Sequence, residues 1–312
     1  MRKTILLFII TALVSSAALA QETTPEAEIP AGIFFDDFSY TGTSDPLFTG
    51  HGWIVRTEEG WPGVPGAFWN PDGVSVVDDP ENAGNRLMQM VSTTDGREDH
   101  TTQTQFCQQR KFHLGTYAAL VRFSDAPESG LDGDQIVQTF YVISPLEFEL
   151  DPNYSELDFE YLPNGGWGTP ANTFFVTSWE TFRPDPNWLA VNESSTQRGS
   201  LADGWHMLTM QVTDEAITYY LDDVIMGEHG SDYVPEVPMS INFNLWFING
   251  GLNAQGRERA YVEQIDWVFH AQEAIVMPEE IMTAVAAFRE GAVTFNDSVP
   301  VGAVALESPC NF

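Results

Sequence analysis

The sequence predicts an all-β protein, an antiparallel β-sandwich with one short C-terminal helix. Three observations carry this. From Ile33 onward, short runs of alternating apolar and polar residues recur, rich in Phe, Tyr, Val, Ile and Thr. Clusters of Gly, Pro, Asn and Asp separate the runs, and none of the intervening stretches has helical periodicity. Parallel strands would need crossover helices, so the strands are expected to be antiparallel. Nine or more of them on one core imply two packed sheets.

The chain of 312 residues opens with Arg2 and Lys3, an apolar run Ile5–Val14 and the small-residue pattern Ala18-Leu19-Ala20. That is the pattern of a secretory signal peptide over residues 1–20. The run falls short of the ~20 apolar residues a membrane span needs, and no Cys follows it to carry a lipid. A soluble protein, secreted or periplasmic, is expected. Residues 21–31, with Pro25 and Pro30, read as a disordered lead-in. Strands are expected at Tyr117–Phe123, Gln135–Ile143, Glu156–Leu162, Thr173–Trp179, His206–Val212, Ile217–Ile225, Ser240–Ile248 and Tyr261–His270. One sandwich domain accounts for residues 32–271. In the 272–312 extension, Pro278 fits a first helical turn beside Glu279 and Glu280. Ile281, Val285 and Phe288 form an apolar stripe, and Arg289 and Gly291 suit the stop. This helix is expected to pack on the sandwich.

The formal charge is −32, and the signal peptide removes two cations and no acid. A field of that sign repels polyanions and argues against nucleic acid, whose binding relies on clustered Lys and Arg. It also disfavours a heavily sulfated glycan. Two cysteines, Cys107 and Cys310, in an oxidising compartment suggest one disulfide.

The chemistry concentrates in Glu156-Leu157-Asp158-Phe159-Glu160. Strand side chains alternate faces, so the three acids share one face while Leu157 and Phe159 enter the core. Like charges that close raise at least one carboxyl pKa. Glycoside hydrolysis needs such a set, with one protonated acid and one ionised carboxylate. An amphipathic strand with a wet acidic face satisfies the same alternation. The loops 57–73 and 163–172 carry Trp61, Trp69 and Trp167 among Gly and Pro. These are either sugar platforms or caps on the core.

In these segments the chain resembles glycoside hydrolase family 16, which has the jelly-roll fold of the concanavalin-A-like lectin/glucanase superfamily. The E-L-D-F-E stretch is similar to that family's E-x-D-x-E signature. Phe35-Asp36-Asp37-Phe38 resembles its opening, Lys111–Phe123 the strand before the catalytic region, and Asp203–Asp223 its hairpin. Pro238–Phe247 and Gln264–Phe269 resemble its closing strands. The resemblance spans roughly residues 33–270. It implies a concave substrate face and a retaining mechanism, with Glu156 as nucleophile, Glu160 as acid and then base, and Asp158 tuning both. No cofactor is implied for catalysis. A structural calcium is, with Asp266 as one ligand. Trp167 and Trp179 flank the motif as sugar-stacking candidates. Asn244 and Trp246 share a face that lines either the cleft or the core. The chain departs from the family after Ala271, and at Val268-Phe269-His270, where the family commonly carries Arg.

Other chemistries find no support. The six histidines lack metal-ligand spacing, and no G-x-S-x-G elbow is present. Asp132-Gly133-Asp134 reads as a turn rather than a calcium loop. The expected function is an endo-acting hydrolase of a neutral β-linked polysaccharide of the β-glucan or galactan class. The alternatives are a transglycosylase using the same residues, or a non-catalytic, lectin-like glycan-binding or envelope-associated protein.

Overall fold

A computed structural model describes residues 30–302, 306–308 and 310. The signal peptide and nearly all of the lead-in lie outside the described residues. Among these residues, in chain order, the strands are β1 Gly32–Asp36, β2 Ile54–Val55, β3 Phe68–Trp69, β4 Val74–Asp78, β5 Arg86–Thr94, β6 Thr102–Cys107, β7 Gly115–Arg122, β8 Ile136–Ile143, β9 Glu156–Leu162, β10 Thr173–Arg183, β11 Leu189–Arg198, β12 His206–Val212, β13 Ala216–Leu221, β14 Val224–Gly230, β15 Ser240–Phe247, β16 Arg259–Gln272 and β17 Phe295–Asp297. They form two sheets, as the alternation predicts. One sheet has nine strands in the order β14-β13-β12-β7-β16-β1-β17, extended by β5 on β16 and β4 on β5. The other has eight, in the order β11-β10-β9-β8-β15-β6-β2, with β3 beside β6. All pairings are antiparallel except β3 with β6. The second sheet carries the cleft.

The inner face of the cleft sheet shows why its outer face is polar. Phe106, Phe243, Phe140 and Phe159 sit side by side across β6, β15, β8 and β9. Their rings stack in turn at centroid distances of 5.0, 5.1 and 5.9 Å. Each is fully buried, as is Leu157. A row of Phe on one face fixes the register of four strands, because a one-residue slip would turn every ring outward. It thereby also fixes what the opposite face presents.

Three sequence expectations differ from the structure. The run Ile217–Ile225 is two strands, β13 and β14, turned at Asp222, whose φ is 58°. An Asp tolerates that left-handed conformation, and the apolar residues on both sides hide the turn. Strands β5, β6 and β11 were not expected, because Ser, Thr, Gln and Asn fill many of their positions. The short helix α1, Pro46–Gly50, was likewise not expected.

The helix expected near the C-terminus spans Pro278–Glu290 (α2), with Ile281 and Val285 buried against Trp267 and Phe269 of the nine-stranded sheet. Phe288 stacks on Phe35 at 4.6 Å. Cys107 and Cys310 are joined in a disulfide, tying the C-terminal segment to β6.

The helix also bears on the calcium expectation. Arg289 donates to Asp266 through both terminal nitrogens, at 2.7 and 3.1 Å, and Asn85 Nδ2 donates to the same carboxylate at 2.7 Å. Asp266 is thus an ion-pair partner, its charge met by a guanidinium. Among the described residues, no group of three or more His, Cys, Asp or Glu side chains is arranged to hold a metal. Arg289→Ala is expected to destabilise the fold by about 1–3 kcal/mol, since it strands a nearly buried carboxylate. Chelation with EDTA is expected to leave the melting temperature unchanged. Thermal melts of both proteins with and without EDTA check this.

Candidate active site

Antiparallel register aligns the outer-face residues of the cleft sheet in rows. Glu160 on β9 lies opposite Thr139 on β8 and Phe175 on β10, and Thr139 lies opposite Asn244 on β15. Asp158 is flanked by Tyr141 and Thr177, and Glu156 by Ile143 and Trp179. The three acids therefore occupy an inner strand of the sheet that floors a cleft of about 600 Å³. Asn192 and Ser194 on β11 border it on one side, and Arg56 beside β6 on the other.

The three carboxyls have different partners. The Glu156 carboxylate accepts from the Tyr154 hydroxyl and is hydrogen-bonded to Asp158. Asp158 also accepts from Trp179 Nε1 at 2.9 Å. The Glu160 carboxyl has no hydrogen-bond partner among the described residues and faces the open cleft. Burial disfavours the ionised form of all three. It pushes Glu156 up to about 7, against the opposing effect of the hydrogen bonds from Tyr154 and Asp158. It pushes Glu160 up to about 8, with the charge of Glu156 adding to the effect. Asp158 rises well above the usual carboxylate range through burial first, then through the charges of Glu156 and Glu160 on either side. With all three carboxyls raised, the group as a whole retains protons near neutral pH. Asp158 donates to Glu156, which has the lower pKa of the two glutamates and two donors to the one of Asp158. The protons belong to the set, so a titration reads apparent values of the whole group.

Trp167, Trp179, Asn244 and Trp246 all line the cleft. Trp167, on the loop after β9, is 52 % exposed and lies against Trp246 and Phe175, each at 6.0 Å. Asn244 and Trp246 face the cleft rather than the core. Asn244 Oδ1 accepts from Thr139 Oγ1 at 2.5 Å, and its amide donates to the Tyr141 hydroxyl at 3.4 Å. The aromatic loop 57–73 divides its roles. Trp69 is fully buried under the Arg56 guanidinium, whereas Trp61 is 59 % exposed and lines the cleft. Asp266 lies on the other sheet, away from this group.

Sequence reasoning missed Tyr154, Trp188 and Arg56. Tyr154 lies two residues before Glu156, the spacing of a shared strand face, but it sits in the loop before β9. Trp188 ends the Asp-Pro-Asn turn between β10 and β11, where a lone aromatic is a signal worth reading. Arg56 gave no local signal, because its role depends on β6, far along the chain.

This architecture, with paired glutamates on an inner strand of a sandwich cleft, is that of a glycosidase. A model of glycosyl hydrolases family 16 matches residues 69–268, and the chain belongs to that family. No curated protein matches it by sequence. Solved structures share the fold at low identity. The β-glucanase of Bacillus licheniformis superposes with a TM-score of 0.56 at 13% identity, over 78% of this chain and 99% of that one. A family 16 protein of the Bacteroides ovatus mixed-linkage glucan locus, solved with an oligosaccharide product, gives a TM-score of 0.56 at 16% identity, over 75% and 98%. The κ-carrageenase of Pseudoalteromonas carrageenovora gives 0.53 at 14%, over 81% and 98%. The family's catalysis needs no cofactor. Among the described residues, no helix is long and apolar enough to cross a membrane.

Proposed function

We propose that the protein is an exported, retaining, endo-acting hydrolase of a neutral β-linked polysaccharide of the β-glucan or galactan class. In the first step the Glu156 carboxylate attacks the anomeric carbon. Glu160 gives its proton to the departing glycosidic oxygen, and a glycosyl ester forms on Glu156. In the second step ionised Glu160 takes a proton from water as that water attacks the same carbon, and Glu156 leaves. Asp158 donates to the free Glu156 carboxylate, which favours its ionised form and orients it for attack.

The observation that carries this reading is the unequal treatment of the two glutamates. Glu156 accepts from Tyr154 and Asp158, which offset part of the effect of burial and leave it at about 7, while Glu160 has no such donor and is pushed to about 8. The preference for a neutral polymer rests on the lining. Among the described residues of the cleft, Arg56 is the sole Lys or Arg, and its side chain is 1 % exposed. A sulfated chain would meet three carboxyls and no accessible cation. Export rests on the leader and is supported by the disulfide, which is rare in reducing compartments.

A reducing-sugar assay of the purified protein on neutral and sulfated polysaccharides tests the function. Release from a neutral β-glucan or galactan is expected, and activity confined to sulfated polymers would contradict it. Should oligosaccharide acceptors yield elongated products in place of hydrolysis, the transglycosylase reading replaces it. Binding without cleavage of any polymer would favour the lectin-like reading.

The same assignment predicts a bell-shaped dependence of kcat/KM on pH. Glu156 must be ionised, so the rate falls as pH drops through about 7. Glu160 must be protonated, so the rate falls as pH rises through about 8. The optimum is therefore expected at neutral to mildly alkaline pH, checked by initial rates across pH. An optimum near the usual carboxylate range would contradict it.

A further inference from the structure

The Glu156 end of the cleft carries two exposed tryptophans that the catalytic residues do not use. Trp61 comes from the loop after β2, at one edge of the cleft sheet. Trp188 comes from the turn into β11, at the other edge. They are 59 % and 48 % exposed, yet both reach the same buried ring. Phe182 lies 5.9 Å from Trp61 and 5.6 Å from Trp188. Trp179, the register partner of Glu156, lies 6.2 Å from Trp188 and 6.1 Å from Phe182. Both exposed rings line the cleft. Large aromatic faces left open inside a concave site mark a place where a ligand covers them. The two faces come from opposite edges of the sheet and meet one base, Phe182.

Trp61 is held by an unusual anchor. Arg56 is buried, and its guanidinium stacks on Trp69 at 3.9 Å. It donates to the carbonyls of Glu58 at 2.9 Å and Trp61 at 3.1 Å, and to Gln105 Oε1 at 2.9 Å. The planar fork of an Arg can satisfy three separate acceptors and stack at once, which no other side chain does. Burial costs it part of its charge preference, lowering it to about 10. The expense is explicable if the loop backbone must be fixed so that Trp61 keeps its position.

We propose that Trp61 and Trp188 form a two-sided clamp that grips one sugar ring of the polymer at the Glu156 end of the cleft. Arg56 is the positioning residue that sets the Trp61 side. The clamp makes the ring next in line beyond the nucleophile a determinant of substrate choice, favouring a chain long enough to reach it. This inference rests on the glycan-hydrolase reading.

The test measures binding by calorimetry on a Glu160→Gln background, which prevents turnover. The ligands are β-1,3-glucan, mixed-linkage glucan and galactan oligosaccharides of increasing length. For one series, affinity is expected to rise in a step when the chain becomes long enough to reach the clamp. Trp61→Ala and Trp188→Ala should each remove that step, weakening the longest oligosaccharide by about tenfold or more. A ring held from both sides needs both partners. The double variant should therefore be within about twofold of either single variant, a non-additive result. Arg56→Met should lose most of the same step although it removes no aromatic ring. Melting temperatures of the two Trp variants should fall only slightly, since about half of each residue is exposed. A step that survives either Trp substitution, or losses that simply add, would overturn the clamp. Active wild-type enzyme with an unaltered affinity ladder in the variants would sink the clamp and leave the hydrolase reading intact. A step lost in the variants of a protein that cleaves nothing would do the reverse.

Discussion

Replacing Glu156 with Gln is expected to lower polysaccharide hydrolysis by about 10⁴-fold or more, the scale on which an enzyme feels the loss of a covalent nucleophile. The amide keeps the shape of the carboxyl and can still accept from Tyr154, so the fold and the cleft should be preserved. Glycan binding should change little, because the sugar contacts lie on the aromatic side chains around the carboxyls. Initial rates, a thermal melt and a binding isotherm on one preparation separate these effects. A Glu156→Gln protein that hydrolyses at the wild-type rate would remove Glu156 from the mechanism. One that fails to fold would leave the question to Glu156→Ala with azide, described next.

Glu160→Ala is expected to lose polymer cleavage by about 10²–10⁴-fold, the usual worth of a general acid. The loss should depend on the leaving group. A sugar hydroxyl leaves poorly without a proton, whereas an acidic phenol leaves unaided. Glycosylation from an activated aryl glycoside should therefore survive, and the slow step should become hydrolysis of the glycosyl-enzyme, which now lacks a base. Azide attacks without a base, so it should restore turnover and yield a β-glycosyl azide. Glu156→Ala with azide should instead give the inverted product. Inverted azide product from Glu160→Ala, or normal polymer cleavage by it, would reverse or abolish the assigned roles. The same site leaves a mark on stability. The folded pKa of Glu160 lies near 8 and thus above its ordinary value. Its contribution is fully present below pH ~4.5 and is lost as pH rises through about 8. Glu160→Gln should accordingly be the more stable protein at pH 9, a trade of stability for function of the kind active sites commonly make.

The parts of this molecule that could be read from the sequence are those specified by local alternation. Glu156–Leu162 is legible because its core face is Leu157 and Phe159 and its other face is acidic, and its strand bounds follow directly. The helix at Pro278 is legible because its first turn, apolar stripe and stop are all local. What was not legible depends on partners distant in the chain. β11 is a polar edge strand, recognisable only through its pairing with β10. Arg56 reads as an ordinary surface residue until β6 and Trp69 enclose it. The family resemblance implies a cation at Asp266, and the cationic partner seen there is a guanidinium. The cation that meets it comes from Arg289, in the tail where the family resemblance ends. The two faces of Asn244 and Trp246 could not be told apart from periodicity, because both faces of a buried strand can be apolar. The Phe row on the opposite face settles which one is the core.

The proposed double displacement requires Glu156 to carry a covalent sugar while Glu160 handles the proton. A 2-deoxy-2-fluoro glycoside with a dinitrophenolate leaving group isolates that step. Fluorine slows both steps, and the good leaving group restores the first, so the glycosyl-enzyme accumulates. The sugar for the probe is the one released from the polymer that the polysaccharide assay identifies. Peptide mass spectrometry of the inactivated protein should find one sugar, bound as an ester to Glu156, with dinitrophenolate released in equal amount. An adduct on Glu160 would exchange the two roles. An active enzyme that forms no adduct and releases product of inverted configuration would contradict the double displacement itself.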